Sequence, residues 1–173
     1  MKGVILAGGE GKRLYPLTAI TNKHLLPVFN KPMILYPLET LRKSRIHEIL
    51  IVTGKVHAGH FMNFLGSGKK YGVKLSYALQ DEALGIADAL SLAEDFADGG
   101  KIALILGDNI FKTTFIQEIQ RFEKQKGAMI FLKKVRDPRR FGVPFFRKGK
   151  IVYIEEKPRN PKSSYAVTGF YLY

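Results

Sequence analysis

The run Val4-Ile5-Leu6-Ala7 is apolar without interruption, and it stops abruptly at Gly8-Gly9-Glu10-Gly11-Lys12-Arg13. A short run with no polar alternation reads as a strand covered on both faces, so the chain needs layers above and below it. The glycines let the main chain turn sharply and come close to a ligand. A strand ending in such a loop offers several backbone N–H groups to one anion. Lys12 and Arg13 add full charge, and a guanidinium takes phosphate oxygens in pairs. The junction therefore reads as a polyphosphate cradle at the end of a central strand. The two commonest cradles are excluded: the P-loop needs Ser or Thr where Arg13 stands, and the dinucleotide fingerprint needs a small residue where Leu14 stands. A tight turn with no ligand would carry the same glycines.

Further strand-like runs recur at 49–53, 74–79, 102–106 and 128–134, with helix-like runs between them. Ile34, Leu35, Leu38 and Leu41 make one helical stripe, with Pro37 bending it or marking its first turn. Phe61, Phe64 and Leu65 make a second, and Ile86, Ala89, Leu90, Ala93 and Ala97 a third. Thr114 and Gln117 form a capping-box pattern ahead of a helix containing Ile119 and Phe122. The alternation predicts a doubly wound α/β fold, Rossmann-like, with a mostly parallel, mixed sheet in one domain over 1–173. After Lys134 the pattern becomes strands at 143–146, 151–155 and 166–173, with a hairpin turn at Arg147-Lys148-Gly149-Lys150. Pro144 fits an edge strand or a bulge. The chain stops at Tyr171-Leu172-Tyr173, inside a strand, which leads to the expectation of a truncated domain whose last strand has an unpaired ladder.

Composition narrows the chemistry. There is no cysteine, which removes disulfides, thiolate metal sites and a catalytic thiol. No apolar run approaches a membrane span, and the N-terminus leads straight into a strand without a signal peptide, so a cytoplasmic protein with no membrane partner is expected. The net charge of +13 calls for anionic partners. The basic residues are scattered, and no zinc-finger, RNA-recognition or helix-turn-helix pattern is present. Small phosphorylated substrates are expected rather than nucleic acid.

In open parallel sheets, ligands sit outside the carboxyl ends of the strands. That rule selects the glycine loop, Gln80, and Gly107-Asp108-Asn109. A carboxylate facing a phosphate cradle suits Mg²⁺, which takes one or two carboxylates plus phosphate oxygens and water. A turn or N-cap aspartate is the plainer reading of Asp108. The Gln80 amide offers one donor and one acceptor end, which suits the edge of thymine or uracil, and Gly85 leaves room for a flat base. A solvated loop glutamine is the alternative. His57 and His60 have helical metal-ligand spacing, but with no third ligand they read as surface residues.

Leu6-Ala7-Gly8-Gly9-Glu10-Gly11-Lys12-Arg13-Leu14-Tyr15-Pro16-Leu17-Thr18 resembles the signature of the sugar-phosphate nucleotidyltransferases, Leu-Ala-Gly-Gly-x-Gly-Thr-Arg-Leu-x-Pro-Leu-Thr. Lys12 stands where Thr is usual. Asn22-Lys23-His24-Leu25-Leu26-Pro27 resembles the Lys-x-Leu-Leu-Pro segment, with His24 in place of a common Gln, leaving a contact to phosphate or base open. Leu106-Gly107-Asp108-Asn109-Ile110-Phe111 matches the metal motif. Phe141-Gly142-Val143, Ile154-Glu155-Glu156-Lys157-Pro158 and Tyr165-Ala166-Val167-Thr168-Gly169 are similar to the sugar-binding segments, with Phe141 where Tyr is frequent.

The resemblance runs from Lys2 to Tyr173 and looks strongest to members that join dTTP to glucose-1-phosphate. It implies Mg²⁺-dependent formation of a dTDP-sugar and pyrophosphate, by a homo-oligomer when full length. It assigns Arg13, Lys23 and Asp108 to catalysis, and Asp108 to the metal. The nucleotide falls to Leu6, Ala7, Gly8, Gly9, Gly11, Lys12, Gln80, Gly85 and Asp108, and the sugar phosphate to Asn109, Phe141, Gly142, Glu156, Lys157 and Val167. The family's second metal aspartate, in a Trp-Leu-Asp-Thr-Gly segment, has no counterpart here. UTP in place of dTTP, and a non-catalytic module of the same fold, remain as alternatives.

Overall fold

The computed structural model describes residues 1–9, 11–82 and 85–173. In chain order its elements are β1 (Lys2–Leu6), β2 (Pro27–Val28), β3 (Lys31–Pro32), α1 (Leu35–Lys43), β4 (Glu48–Gly54), α2 (Ala58–Leu65), β5 (Lys74–Gln80), α3 (Ile86–Ser91), α4 (Glu94–Ala97), β6 (Ile102–Leu106), α5 (Ile116–Glu123), β7 (Met129–Lys134), β8 (Gly142–Arg147), β9 (Lys150–Glu156) and β10 (Tyr165–Leu172). Six strands form one sheet in the order β5-β4-β1-β6-β10-β7. The first four are parallel; β10 runs antiparallel to both of its neighbours. β1 is therefore central, as its unbroken apolar run requires.

Alternate residues of the parallel strands feed two cores. Ile5, Ile49, Ile51, Ala103 and Ile105 pack with Ile34, Leu38 and Leu41, with Phe61 and Leu65 of α2, and with Ile119 and Phe122 of α5. Val4, Leu6, Leu50, Val52 and Leu104 pack on the other face with Ala89 and Ala93. Both faces are covered, which is the doubly wound arrangement expected from the alternation. Pro37 lies in the first turn of α1, where its missing N–H costs little.

Three expectations are corrected. The stripe from Ile86 to Ala97 is two helices: Ala93 N bonds to Leu90 O at 2.9 Å, tightening the turn between α3 and α4. The stripe continues because Ala89 and Ala93 both remain buried; periodicity records the packed face, not the unbroken ladder. The Thr114–Gln117 capping box does not form. Phe115 holds the N-cap position with no side-chain cap bond, and its N–H donates to Ser44 Oγ at 3.0 Å. The Phe115 ring stacks on Phe170 at 4.0 Å between centroids and meets Phe111 and Phe131 edge-on. Several aromatic pairs at about 0.5–1.5 kcal/mol each outweigh one cap of about 1 kcal/mol. Finally, β10 is not left with an open ladder. It pairs with β6 on one side and β7 on the other, and Tyr173 exchanges both backbone bonds with Ile102 at 3.0 Å.

β8 and β9 form a separate antiparallel hairpin through Lys148 and Gly149, both at positive φ, as the turn pattern predicts. Pro144 lies in this two-stranded ribbon, next to a register shift between Phe145 and Phe146. Every residue of β9 is exposed.

Candidate functional site

The glycine loop leaves the carboxyl end of β1, where Ala7 N donates to Val52 O at 2.7 Å. Glu10 lies outside the described residues. Gly11, at φ 69, opens a 3-10 turn over Lys12–Leu14, and Thr18 Oγ1 donates to its carbonyl at 3.1 Å. Arg13 is exposed on this turn and makes no hydrogen bond or ion pair among the described residues.

A second 3-10 turn, Lys23–Leu25, is capped by Asn22, whose Oδ1 accepts from His24 N at 3.0 Å. The buried Asn22 Nδ2 reaches Ala7 O at 3.3 Å and Gly9 O at 3.4 Å, so one side chain ties the turn to the glycine loop. Lys23 then runs alongside that loop, its Cε 3.4 Å from where a Cβ on Gly9 would stand. Its Nζ meets Asp108 Oδ2 at 2.6 Å.

Asp108 follows β6 directly. Burial alone would raise its carboxyl, but the hydrogen bond and charge of Lys23, together with the Asn109 amide, outweigh burial and hold it below the ordinary carboxylate range. Asn109 Nδ2 donates to Asp108 Oδ1 at 3.1 Å, and Asn109 Oδ1 accepts from Gly169 N at 3.2 Å. Asn109 thereby joins the end of β6 to β10. Gly107 must be small: a Cβ there would lie 2.7 Å from His24 Cδ2 and 2.9 Å from the Leu6 carbonyl.

His24 is 2% exposed and its Nδ1 lies 2.6 Å from Asn22 Oδ1. Burial, with the Lys23 charge acting in the same direction, pushes the imidazole down to about 4. It is a neutral packing and hydrogen-bonding group behind the site.

Gln80 ends β5 and is 7% exposed, not a solvated loop residue. Its Nε2 donates to Asp88 Oδ2 at 2.7 Å. A Cβ on Gly8 would be 2.7 Å from its Oε1, so Gly8 and Gln80 meet across the ends of β1 and β5. Gly85 precedes α3 at φ 108, and among the described residues no atom lies within 4 Å of where a Cβ would stand.

The remaining predicted residues form a second cluster. Gly142 pairs in register with Glu156, and a Cβ on it would lie 3.3 Å from Glu156 Oε2 and 3.7 Å from Val167 Cβ. Lys157 N donates to Phe141 O at 3.0 Å, and Lys157 Nζ pairs with Glu156 Oε1 at 2.9 Å. Their side chains are 66% and 68% exposed. Phe141, Gly142, Glu156, Lys157 and Val167 are thus together, and Asn109 links this cluster to Asp108 through Gly169. Sequence reading passed over Asn22 and Asp88. Asn22 carried a usable signal, an N-cap residue ahead of a short turn; Asp88 carried none, since its partner is eight residues away across residues of no regular period.

The arrangement sets a glycine loop beside a lysine–carboxylate pair and a buried amide, with a second, solvent-open cluster that carries the Glu156–Lys157 ion pair. The chain matches the family model described as nucleotidyl transferase over residues 2–173. It is 47% identical to a glucose-1-phosphate thymidylyltransferase of Neisseria gonorrhoeae, over all of this chain and 61% of that protein. A crystal structure of a candidate glucose-1-phosphate thymidylyltransferase from Bacillus anthracis, in complex with sucrose, superposes with a TM-score of 0.96 at 53% identity, over 100% of this chain and 71% of that one. A UDP-glucose pyrophosphorylase complexed with UDP-glucose, at 24% identity and a TM-score of 0.82 over 99% and 74%, shares the fold. The chain spans about three fifths of the length of the curated relatives it matches.

Proposed function

The chain belongs to the nucleotidyl transferase family, and on that premise we propose that the protein carrying it transfers a thymidylyl group from dTTP to glucose-1-phosphate, releasing pyrophosphate. The observation that carries this reading is the Lys23–Asp108 pair, 2.6 Å apart, set against the glycine loop at the ends of β1 and β6. A sugar-phosphate oxygen attacks the α-phosphorus and forms the new P–O bond. The bond from that phosphorus to the bridging oxygen breaks, and its electron pair leaves with pyrophosphate. The attacking phosphate is already anionic, so no protein base is required. Catalysis is then positioning and charge stabilisation.

Leu6, Ala7, Gly8, Gly9, Gly11 and Lys12 cradle the triphosphate, and Gln80 and Gly85 receive the base. Arg13 and Lys23 offset charge on the transferred group and on the departing pyrophosphate. Lys157 holds the sugar phosphate, Glu156 accepts from sugar hydroxyls, and Phe141, Gly142, Val167 and Asn109 enclose the ring. Asp108 has the hard oxygen donors that Mg²⁺ prefers. Mg²⁺ ordinarily completes its shell with substrate phosphate oxygens and water, and Asp108 would be the carboxylate that holds it. When bound, the ion supplies Lewis-acid polarisation of phosphate oxygens.

The test is pyrophosphate release from a panel of nucleoside triphosphates with glucose-1-phosphate, with and without Mg²⁺. Turnover with dTTP is expected. No turnover together with dTTP binding would leave a non-catalytic module and overturn the proposal.

A further inference from the structure

The Gln80 amide is gripped at one end. Nε2 donates to Asp88 Oδ2 at 2.7 Å and, more weakly, to the Gly85 carbonyl at 3.5 Å. A carboxylate and a carbonyl accept and cannot donate. The flipped amide would set oxygen against both acceptors and lose the bond to Asp88. The chemistry of Asp88 therefore decides which end of Gln80 faces which way. The other end, Oε1, lies against Gly8 and accepts no hydrogen bond among the described residues. That free acceptor is where a donor on the ligand would complete the site.

We propose that Asp88 is a positioning and specificity-determining residue: by fixing the Gln80 amide it presents the base with an acceptor only. The site then selects a pyrimidine with a ring N–H, thymine or uracil, and rejects cytosine, whose ring nitrogen at that edge is itself an acceptor. Asp88 touches Gln80, not the base, and acts through it. The exocyclic methyl group plays no part, so dTTP and UTP stand on the same side of this filter. The inference rests on the nucleotide reading of the site proposed above.

The experiment measures binding of dTTP, UTP and dCTP by calorimetry, and kcat/KM for each with glucose-1-phosphate, for the intact protein and for Asp88→Asn and Asp88→Ala. The wild type is expected to prefer dTTP over dCTP by on the order of 10²-fold or more, as a site built around a substrate N–H does. Asn and Ala no longer dictate the amide orientation, so the dTTP-to-dCTP ratio should fall about tenfold in both, with UTP following dTTP. Thermal melting reports whether each variant is folded. A residue with only a structural role would lower dTTP and dCTP affinity together and leave their ratio intact; that outcome overturns the assignment of Asp88 while the nucleotide reading stands. A wild type that binds none of the three overturns the nucleotide reading itself.

Discussion

The ends of β1, β4, β5 and β6 and the β8–β9 hairpin carry the two halves of the candidate site, and they are built in opposite ways. In the first half, Asn22, His24 and Gln80 are buried and each is held by partners within the site. In the second, the Glu156 and Lys157 side chains stand in solvent and, among the described residues, pair only with each other. Buried groups are fixed before a ligand arrives and cost nothing to reorganise, which favours transition-state stabilisation. Exposed long side chains must be ordered at binding, and that entropy weakens affinity. The difference predicts that damage to the first half appears in kcat and damage to the second in KM.

The largest effect should come from the pair at the centre of the first half. Lys23→Met and Asp108→Asn should each lower kcat by about 10²–10³-fold, the loss typical of one preorganised group. The double variant should lose far less than the product, because each residue positions the other. Steady-state kinetics with dTTP and glucose-1-phosphate checks this. Losses that fall on KM alone would erase the contrast between the halves.

The same half should also carry an acid sensitivity. The His24 imidazole sits at about 4 in the fold against 6.5 unfolded. Between those values the unfolded chain binds more protons, so stability is complete above about pH 6.5 and is lost as pH falls towards 4, by at most about 3 kcal/mol. Chemical unfolding from pH 7.5 to 4 should show this slope, and His24→Gln should flatten it. An unchanged slope in His24→Gln would place the sensitivity elsewhere.

How much of this was legible follows the same division. The strand ends were readable because continuous apolar runs mark strands covered on both faces, and the ligand side of a parallel sheet is set by topology. Gly107, Asp108 and Gln80 could be placed by that rule alone. What packs behind them could not: the burial of His24 and the Gln80–Asp88 bond are made across elements. Nor could the start of α5, where the Phe115 stack overrides a local capping pattern. In the hairpin half, Glu156 and Lys157 would pass for surface charges, and in accessibility they are; only the motif singled them out.

A smaller effect belongs to that hairpin half. Lys157→Ala should raise the KM for glucose-1-phosphate about tenfold or somewhat more, as one charge-assisted hydrogen bond is worth about 1.5–3 kcal/mol. kcat should change less, and because the side chain is exposed, folding stability should stay within about 0.5 kcal/mol. Weakened dTTP binding in place of weakened sugar-phosphate binding would reverse the assignment of the two anion sites.

The smallest effect sharpens where the second half ends. Thr168 follows Val167 on β10, in the stretch where the register against β7 shifts. Its Oγ1 is buried and has no partner among the described residues. A buried hydroxyl without a bond costs stability, whereas an apolar group of the same shape costs none. Thr168→Val should therefore leave stability unchanged or raise it by up to about 1 kcal/mol, a gain of a few degrees in Tm for a chain of this size. The KM for glucose-1-phosphate should not move, because a buried hydroxyl cannot reach a sugar. Calorimetric melting and sugar kinetics read the two quantities separately. A loss of more than about 1 kcal/mol would mean that a bound water satisfies the hydroxyl. A rise in KM at constant Tm would mean that the sugar surface extends past Val167 into the strand, making the second half less open than its exposed residues suggest.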